Sequence, residues 1–305
     1  MKLKKIPPMA LVIFAVCMVS YSGPMIKGAL NAGANPSSIA FVRMFSATFL
    51  LLLIEQKSIK TKGIAFRFSK REGMLILLAG AFLAGHYLTW ITSLTGTSTF
   101  ASVALVCTQP LFVAVFSYFL FKEKMPSRAV PGAVLALLGA VVIALAGLSG
   151  TDASAQAVSG DALKSNLLAL TGAMLIAGNW ITGREIRRSL SAEVYTPMLY
   201  AVTALFLALT IPAGGGFVMP VKALPWMAGL VIGSTLLGNA IFNYTLDKVS
   251  ATIISFALLG EPVGAMIFSI FLFGEIPTPL VALGGVLTIA GLAYYLARSA
   301  STQQT

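Results

Sequence analysis

The sequence predicts an all-α integral membrane protein, in which ten transmembrane helices form two inverted-topology five-helix repeats and both termini are cytoplasmic. Three observations lead to this prediction. The chain of 305 residues is 57% hydrophobic and only 10% charged, with a mean hydropathy of +0.90, whereas a soluble domain carries about 25% charged residues. Its lysines and arginines concentrate in every second connection between apolar runs. A stretch near the middle of the chain recurs 152 residues later. So little charge excludes a water-soluble surface.

Ten apolar runs are long enough to be transmembrane helices, because crossing a bilayer takes about 20 mostly apolar residues. The first run follows three lysines and resembles a signal peptide. However, further apolar runs follow it, and no clear cleavage site precedes a soluble domain. We therefore interpret it as the first transmembrane helix. The ten runs cover residues 8–29, 37–54, 73–95, 100–121, 130–147, 166–183, 194–212, 225–245, 250–273 and 278–297.

The distribution of lysine and arginine orients these helices. If the N-terminus is cytoplasmic, 17 of the 21 Lys and Arg residues fall in segments on the inside. Only Lys164 and Lys222 fall in outside loops, and Lys27 and Arg43 lie within the apolar runs. Cytoplasmic loops of membrane proteins carry such an excess of positive charge. We expect a multi-pass protein of the cell (inner) membrane with both ends in the cytoplasm.

An internal repeat divides the chain. The stretch QPLFVAVFSYFLFKEK, which starts at Gln109, returns as EPVGAMIFSIFLFGEI, which starts at Glu261, and 12 of 42 positions match without a gap across residues 98–139. Five helices per repeat is an odd number, so the second repeat enters the membrane upside down, which places Glu123 inside and Glu275 outside. Such inverted repeats allow two related conformations, each open to one side. The predicted segments are a first repeat at 8–147, an outside linker at 148–165, a second repeat at 166–297 and a cytoplasmic tail at 298–305.

Pro110 and Pro262 occupy equivalent places in the fourth and ninth runs. A proline inside a helix removes one hydrogen bond and clashes with the carbonyl four residues earlier, here that of Val106 or Leu258. We expect a kink at each proline that serves as a hinge or lines a cavity. A simple packing kink is the alternative.

Several motifs of the first repeat resemble the drug/metabolite transporter superfamily, EamA family. The longest is GHYLTWITSLTGTSTFASVALVCTQPLFVAVFSYFLFKEK, which starts at Gly85. YSGPMIKGAL resembles the first-helix motif of the family, with Tyr21 where tryptophan is usual, and IAFVRMFSATFLLLL resembles its second-helix motif, which maps onto Arg43. The second repeat has no arginine that matches Arg43. The resemblance implies a ten-helix bacterial exporter of amino acids, nucleobases, vitamins or related metabolites.

Glu261 is the acidic residue that lies deepest inside a predicted helix. A carboxylate at such a depth must pair, face water or take up a proton. It is therefore our candidate for contacting a cationic group of the substrate or for carrying a coupling proton. A paired structural carboxylate is the alternative. Lys27 lies near the outer end of the first run, where a lysine can extend its amine to water.

Other polar and aromatic side chains are candidates for a substrate cavity. His86 and Trp90 share a face of the third run, being four residues apart, and Arg43 lies about two turns into the second run. For His86 and Arg43, hydrogen-bonded packing between helices is the alternative, and for Trp90 it is a core or interfacial aromatic. The candidate substrate-binding residues are Arg43, His86, Tyr87, Trp90, Gln109, Asn179, Trp180, Asn239 and Asn243.

Taken together, these features predict a secondary active transporter that moves a small metabolite, such as an amino acid, by alternating access, with export as the direction that the resemblance implies. A passive channel or a lipid-translocating protein is the alternative. An enzyme is not expected, because the GLSG stretch around Ser149 lies 63 residues from the only histidine, and no phosphate-binding loop occurs. We expect no metal, cofactor or nucleic acid. The expected partners are the substrate and the lipid bilayer. Small residues of the fifth run, such as Gly132 and Ala136, predict close packing against another helix, and a face for a second copy of the chain is the alternative.

Overall fold

The computed structural model describes residues 6–62, 68–122, 126–148, 162–245, 258 and 260–302. Every regular element in these residues is helical, and no strand occurs among them. Short 3₁₀ turns at Ser127–Ala129 and Val221–Ala223 precede α7 and α10, and a π-helical segment, Leu230–Asn239, joins α10 to α11. The α-helices are α1 (Pro8–Ser20), α2 (Ser22–Asn31), α3 (Pro36–Lys62), α4 (Lys70–Ser93), α5 (Thr99–Val106), α6 (Gln109–Phe121), α7 (Val130–Leu148), α8 (Ala162–Ile186), α9 (Ala192–Thr210), α10 (Leu224–Gly229), α11 (Ala240–Thr245), α12 (Glu261–Phe273) and α13 (Pro279–Thr302).

Six helical stretches of the described residues are long and apolar enough to cross a membrane. They are Pro8–Asn31, Pro36–Ile54, Lys70–Ser93, Thr99–Leu120, Ala192–Thr210 and Val221–Phe242. Shorter apolar helices cover Ser127–Ile143, Glu261–Phe273 and Pro279–Tyr295. Many large apolar side chains are exposed on the outer surface of the bundle, as lipid contact requires. The prediction of an all-helical, multi-pass membrane protein is therefore confirmed.

The two prolines of the repeat each lie at the second position of a helix. The run predicted at 100–121 is broken at Cys107 and Thr108, so that Pro110 is the second residue of α6. Pro262 is likewise the second residue of α12. Proline is tolerated there, because the first N–H groups of a helix have no intrahelical partner in any case. The span that contains Pro110 is thus interrupted next to the carbonyl of Val106, where the proline was expected to disturb the helix, and the interruption is a break between two helices. Most of the run before Pro262 lies outside the described residues.

Helices α6 and α12 have matching bounds at the 152-residue offset. Both contain 13 residues, and each ends in a residue with left-handed backbone geometry, Lys122 with φ 58° and Gly274 with φ 66°. The left-handed geometry satisfies the last carbonyls of a helix and stops it. The predicted counterpart of Glu275, Glu123, lies outside the described residues.

The small residues of α7 pack against α13 of the same chain. A Cβ added to Gly132 would lie 2.6 Å from the carbonyl oxygen of Gly291, and one added to Gly139 would lie 2.6 Å from that of Gly284. Only glycine allows so close an approach of two backbones. The small-residue stripe of α7, which includes Gly132 and Ala136, is thus occupied by a helix of the same chain. A second copy of the chain was one partner expected there.

The other principal helix pairs are α4 with α8, α9 with both α3 and α4, α1 with the π-helical segment, and α6 with α8. The largest group of buried apolar side chains lies where α2, α3, α4, α9 and the π-helical segment meet. Polar side chains that are buried in this region are therefore surrounded by helices on all sides. The candidate site is centred on one of them.

Candidate functional site

Arg43 lies at the centre of the candidate site. Its side chain on α3 is only 1% exposed. The guanidinium donates hydrogen bonds from Nε to the hydroxyl of Thr235 over 2.9 Å and from Nη2 to the hydroxyl of Ser234 over 3.3 Å. Its central carbon lies 4.4 Å from the ring centroid of Tyr87 and 6.0 Å from that of Trp90. Aromatic faces attract a cation at such distances, so α4 and the π-helical segment together hold the guanidinium.

The π-helical segment supplies the two hydroxyl groups. The hydroxyl of Thr235 accepts from Arg43 and donates to the carbonyl of Leu230, five residues earlier, over 3.0 Å. Ser234 and Thr235 are both fully buried. Wide turns of this type occur often at functional sites. Neither residue was predicted as part of a site, although two adjacent small polar residues in the apolar run VIGSTLLGN were an available signal.

Some polar groups at this site have no hydrogen-bond partner in the described structure. They include Nη1 of Arg43, Nε1 of Trp90 and the hydroxyl of Tyr200 on α9. The three side chains are each at most 4% exposed, and Tyr200 is within electrostatic range of Arg43. Leaving a buried donor unpaired costs about 1–3 kcal/mol. The cation and two neighbouring side chains thus each keep one polar group that the described side chains leave unpaired.

Glu261 supplies a negative charge near Arg43. It is the first residue of α12, where the helix dipole favours an anion, and it is half-buried. It lies within electrostatic range of Arg43, Tyr87 and Cys107. Yet Glu261 and Arg43, both of which the structure describes, form no ion pair within 4.0 Å. The site therefore holds a guanidinium and a carboxyl group that interact electrostatically without forming an ion pair.

His86 stacks on Trp90 and contacts a neighbouring helix. Its Nδ1 lies 2.9 Å from the carbonyl oxygen of Gly172 on α8, and its ring stacks on Trp90 at 5.5 Å between centroids. A carbonyl only accepts, so Nδ1 carries the proton in this contact. His86 thus ties α4 to α8 and orients the Trp90 ring.

The remaining predicted residues lie in other contacts. Asn179 donates to the carbonyl of Ala79 over 3.0 Å and so links α8 to α4. Trp180 packs with side chains of α1 and α11, apart from the cluster that contains Tyr87 and Trp90. Gln109 and Asn239 are half-buried, Gln109 as the first residue of α6. The side chain of Asn243 lies outside the described residues.

A buried ion pair joins three segments at the end of the bundle that is predicted to face outward, which we call the outer end. The amine of Lys27 on α2 donates to the carbonyls of Leu94 and Thr97 over 2.9 and 3.4 Å, and lies 3.8 Å from the carboxylate of Glu275. Glu275 also accepts from the N–H of Thr99, at the start of α5, over 3.2 Å. The Lys27 side chain is 5% exposed. The expectation that this amine extends to water was wrong, because backbone carbonyls and Glu275 enclose it.

An exposed cluster lies at the opposite end, which we call the inner end. Glu185, at the end of α8, pairs with Arg71 on α4 and with Arg188, each over 2.9 Å. The Arg71 side chain is 75% exposed. Helix α4 begins here with a capping box, in which Ser69 and Glu72 each accept from the backbone N–H of the other.

Comparison with known proteins identifies the class. The sequence profile of the EamA-like transporter family matches residues 6–145 and 163–297. The chain belongs to this family, and it is a membrane transporter and not an enzyme.

Individual relatives agree with this class. The chain is 24% identical over 291 residues to an uncharacterized transporter of Archaeoglobus fulgidus, covering 92% of this chain and 94% of that protein. It is 26% identical over 191 residues, 62% of this chain and 61% of the relative, to a protein of Streptantibioticus cattleyicolor named "Probable terminal-alkyne amino-acid exporter". A solved crystal structure matches with a TM-score of 0.65 at 16% identity, covering 96% of this chain and 98% of its own, which shows a shared fold.

Proposed function

We propose that this chain is a secondary active transporter that exports a small metabolite, an amino acid or a related compound, across the inner membrane by alternating access. The observation that carries the proposal is the composition of the central site. Arg43, Tyr87 and Trp90 come from the first half of the chain, whereas Thr235 and Glu261 come from the second. Movement of one half against the other therefore changes access to the site and its charges together.

Several contacts support two inverted repeats of five helices. Helices α6 and α12 have equivalent bounds, and Gly132 meets Gly291 while Gly139 meets Gly284. The 152-residue offset relates Gly132 to Gly284 and Gly139 to Gly291, so each of the two contacts is the repeat equivalent of the other. A two-fold axis between α7 and α13 requires this relation. The pairing of α4 with α8 has its counterpart in that of α1 with the π-helical segment. The family profile also matches the chain twice.

The contacts at the two ends support the proposed orientation with cytoplasmic termini. Lys27, Thr97 and Glu275 come from three segments predicted to face outward, and they meet at one end. Arg71 and Glu185 come from two segments predicted to face inward, and they meet at the other. The buried contacts around Lys27 close the outer end in this conformation. The loop around Asp152, which the same orientation places outside, lies outside the described residues.

The substrate class and direction rest on relatives. The relative from Streptantibioticus cattleyicolor is named as an amino-acid exporter, and a buried cation beside an anion suits a small polar metabolite better than a lipid tail. Pro110 and Pro262 begin the helices on which Gln109 and Glu261 lie, so hinge movement before these helices is part of the proposed cycle.

Metabolite profiling followed by counterflow tests this function. Cells with and without the protein are compared for metabolites in the medium, and the enriched compounds are then tested in proteoliposomes. A carrier exchanges labelled substrate faster when unlabelled substrate is present on the opposite side, whereas a passive channel does not. We expect such exchange in the wild type, and its loss in Glu261→Gln and Trp90→Ala at normal expression. Flux without exchange stimulation supports a channel and contradicts the proposal.

A further inference from the structure

We propose, on the basis of the transport function above, that Lys27 and Glu275 form the outer gate of the transporter. In this conformation the pair is intact and closes the way from the outer end to Trp90. Separation of the pair opens a polar path between α2, α5 and the end of α12. The proposal thus names the contact that must break before the substrate can cross the outer end.

The first argument concerns the segments that the pair joins. Lys27 on α2 and Thr99 at the start of α5 belong to the first half of the chain, whereas Glu275 follows α12 in the second half. The carboxylate of Glu275 lies 3.8 Å from the amine of Lys27 and accepts from the N–H of Thr99 over 3.2 Å. Helix α12 also packs against both α2 and α5. One side chain therefore fastens the second half to two helices of the first, and a movement that parts these helices must release it.

The second argument concerns the position of the pair relative to the central site. The carbonyl of Leu94, which accepts from Lys27 over 2.9 Å, follows Trp90 by four residues, about 6 Å along a helix. Between them, the hydroxyl of Ser93 lies 2.6 Å from the carbonyl oxygen of Trp90 and 2.7 Å from the hydroxyl of Ser102. A carbonyl only accepts, so Ser93 donates to it and accepts from Ser102. Polar groups therefore continue from the central site to the pair, which lies at the outer end of this row.

The third argument concerns the surfaces that the pair holds together. The buried hydroxyls of Ser22, Thr97 and Thr99 have no hydrogen-bond partner among the described residues. They lie beside the pair, because the carbonyl of Thr97 accepts from Lys27 and a Cβ added to Gly23 would lie 3.0 Å from the side chain of Thr99. Unpaired buried hydroxyls disfavour the closed conformation, and water in an open path would satisfy them. The ion pair acts in the opposite direction, so its loss should shift the equilibrium toward the open conformation.

A second contact between the two halves at the outer end has a different character. The amide of Asn35 donates to the carbonyls of Gly214 and Gly216 over 3.1 and 2.8 Å, and the hydroxyl of Ser38 accepts from the N–H of Val218 over 2.9 Å. The amide oxygen of Asn35 is paired as well, since it accepts from the N–H of Ser38 over 3.0 Å. These groups already have partners, so hydration gains them little. We expect the Asn35 contact to stay closed while Lys27 and Glu275 separate.

Thiol labelling from one side of the membrane tests the gate. In the parent protein for this test, alanine replaces both native cysteines, Cys17 and Cys107, and Ser102→Cys supplies a buried reporter on the central-site side of the pair. A membrane-impermeant methanethiosulfonate is added to intact cells, and the rate of modification is measured. We expect slow labelling of the parent and labelling about tenfold or more faster in Glu275→Gln and Lys27→Met, because a lone buried charge favours the open, hydrated conformation. Unchanged rates in both variants overturn the proposal.

Charge and sidedness separate gating from a general loss of stability. Lys27→Arg keeps a cationic donor and should label slowly, and Lys27→Met/Glu275→Met leaves no lone charge and should label more slowly than Lys27→Met. The same reagent, added to the cytoplasmic face in inside-out vesicles, should not react faster in any variant, whereas unfolding would accelerate labelling from both sides.

Two further variants at the outer end serve as controls. Lys222→Met removes an exposed lysine from the turn before α10 and should label like the parent. Asn35→Ala breaks the second contact between the halves and should also label slowly. Labelling of Asn35→Ala as fast as that of Glu275→Gln, or acceleration from both sides of the membrane, contradicts the proposal.

Failure of the gate is distinguishable from failure of the transport function. If the labelling rates change as expected but no metabolite exchanges in the counterflow experiment, the gate stands and the transport function is wrong. If a metabolite exchanges, and Glu275→Gln labels and exchanges like the parent, the protein is a carrier and the gate assignment is wrong.

Discussion

Each end of the bundle holds an ion pair, but the two pairs lie in opposite environments. At the outer end, Lys27 and Glu275 have side chains that are 5% and 12% exposed, and backbone groups complete their hydrogen bonds. At the inner end, the Arg71 side chain that pairs with Glu185 is 75% exposed. Removing one partner of a buried ion pair strongly destabilises the folded state, whereas an exposed pair contributes only about 0–1 kcal/mol to stability. Burial, and not the number of charges, therefore decides which end is more firmly held in this conformation.

The largest effect is expected from Lys27→Met. It removes the amine that pairs with Glu275 and leaves the carboxylate in a mostly buried place, together with the free carbonyl of Leu94. Breaking one partner of a buried pair costs about 3–5 kcal/mol. Unfolding in detergent by heat or denaturant measures this loss. A loss below about 1 kcal/mol would show that the two ends do not differ.

A smaller effect is expected when both partners are removed. The double variant Lys27→Met/Glu275→Met replaces the pair with apolar side chains and leaves no uncompensated charge. It should recover most of the stability lost in Lys27→Met. We expect a remaining loss of about 1–2 kcal/mol, because the N–H of Thr99 and the carbonyl of Leu94 lose their partners. If the double variant is as unstable as the single one, packing and not charge explains the outer end.

At the inner end, the capping box of α4 should matter more than the ion pair. Ser69→Ala removes the hydroxyl that accepts from the N–H of Glu72. Loss of such a cap costs about 1 kcal/mol. The same unfolding measurement checks it, with Ser191→Ala as the serine control, because Ser191 precedes α9 without a side-chain cap hydrogen bond. A larger loss of stability in Ser69→Ala than in Lys27→Met would contradict the expectation that the outer end is held more firmly than the inner end.

The smallest effect is expected from Arg71→Ala. The exposed pair with Glu185 should contribute less than about 1 kcal/mol. Salt screens exposed charges more than buried ones, so even this difference should shrink as the salt concentration rises. A salt-independent loss would indicate that the inner pair is shielded in solution. The stability conferred by Lys27 should depend much less on salt.

Part of the candidate site could be predicted from the sequence. Arg43, Tyr87, Trp90 and Glu261 stood out because charged and polar side chains are rare in apolar runs, and these four lie together in the structure. Asn179 stood out for the same reason but satisfies a backbone carbonyl of α4 instead. Composition identifies unusual residues. It does not tell which way a helix is rotated about its axis.

The sequence by itself determined the class of protein, because hydropathy, charge bias and helix length are sums over neighbouring residues. It also determined the 152-residue repeat, and α6 and α12 begin and end at positions that differ by this offset. Only the tertiary structure decided that Arg43 meets Thr235, 192 residues away, and that Lys27 is buried beside Glu275. Such contacts depend on how helices rotate and pack against each other, and a break at Cys107 or a π-helical turn at Thr235 changes that packing without changing the local hydropathy.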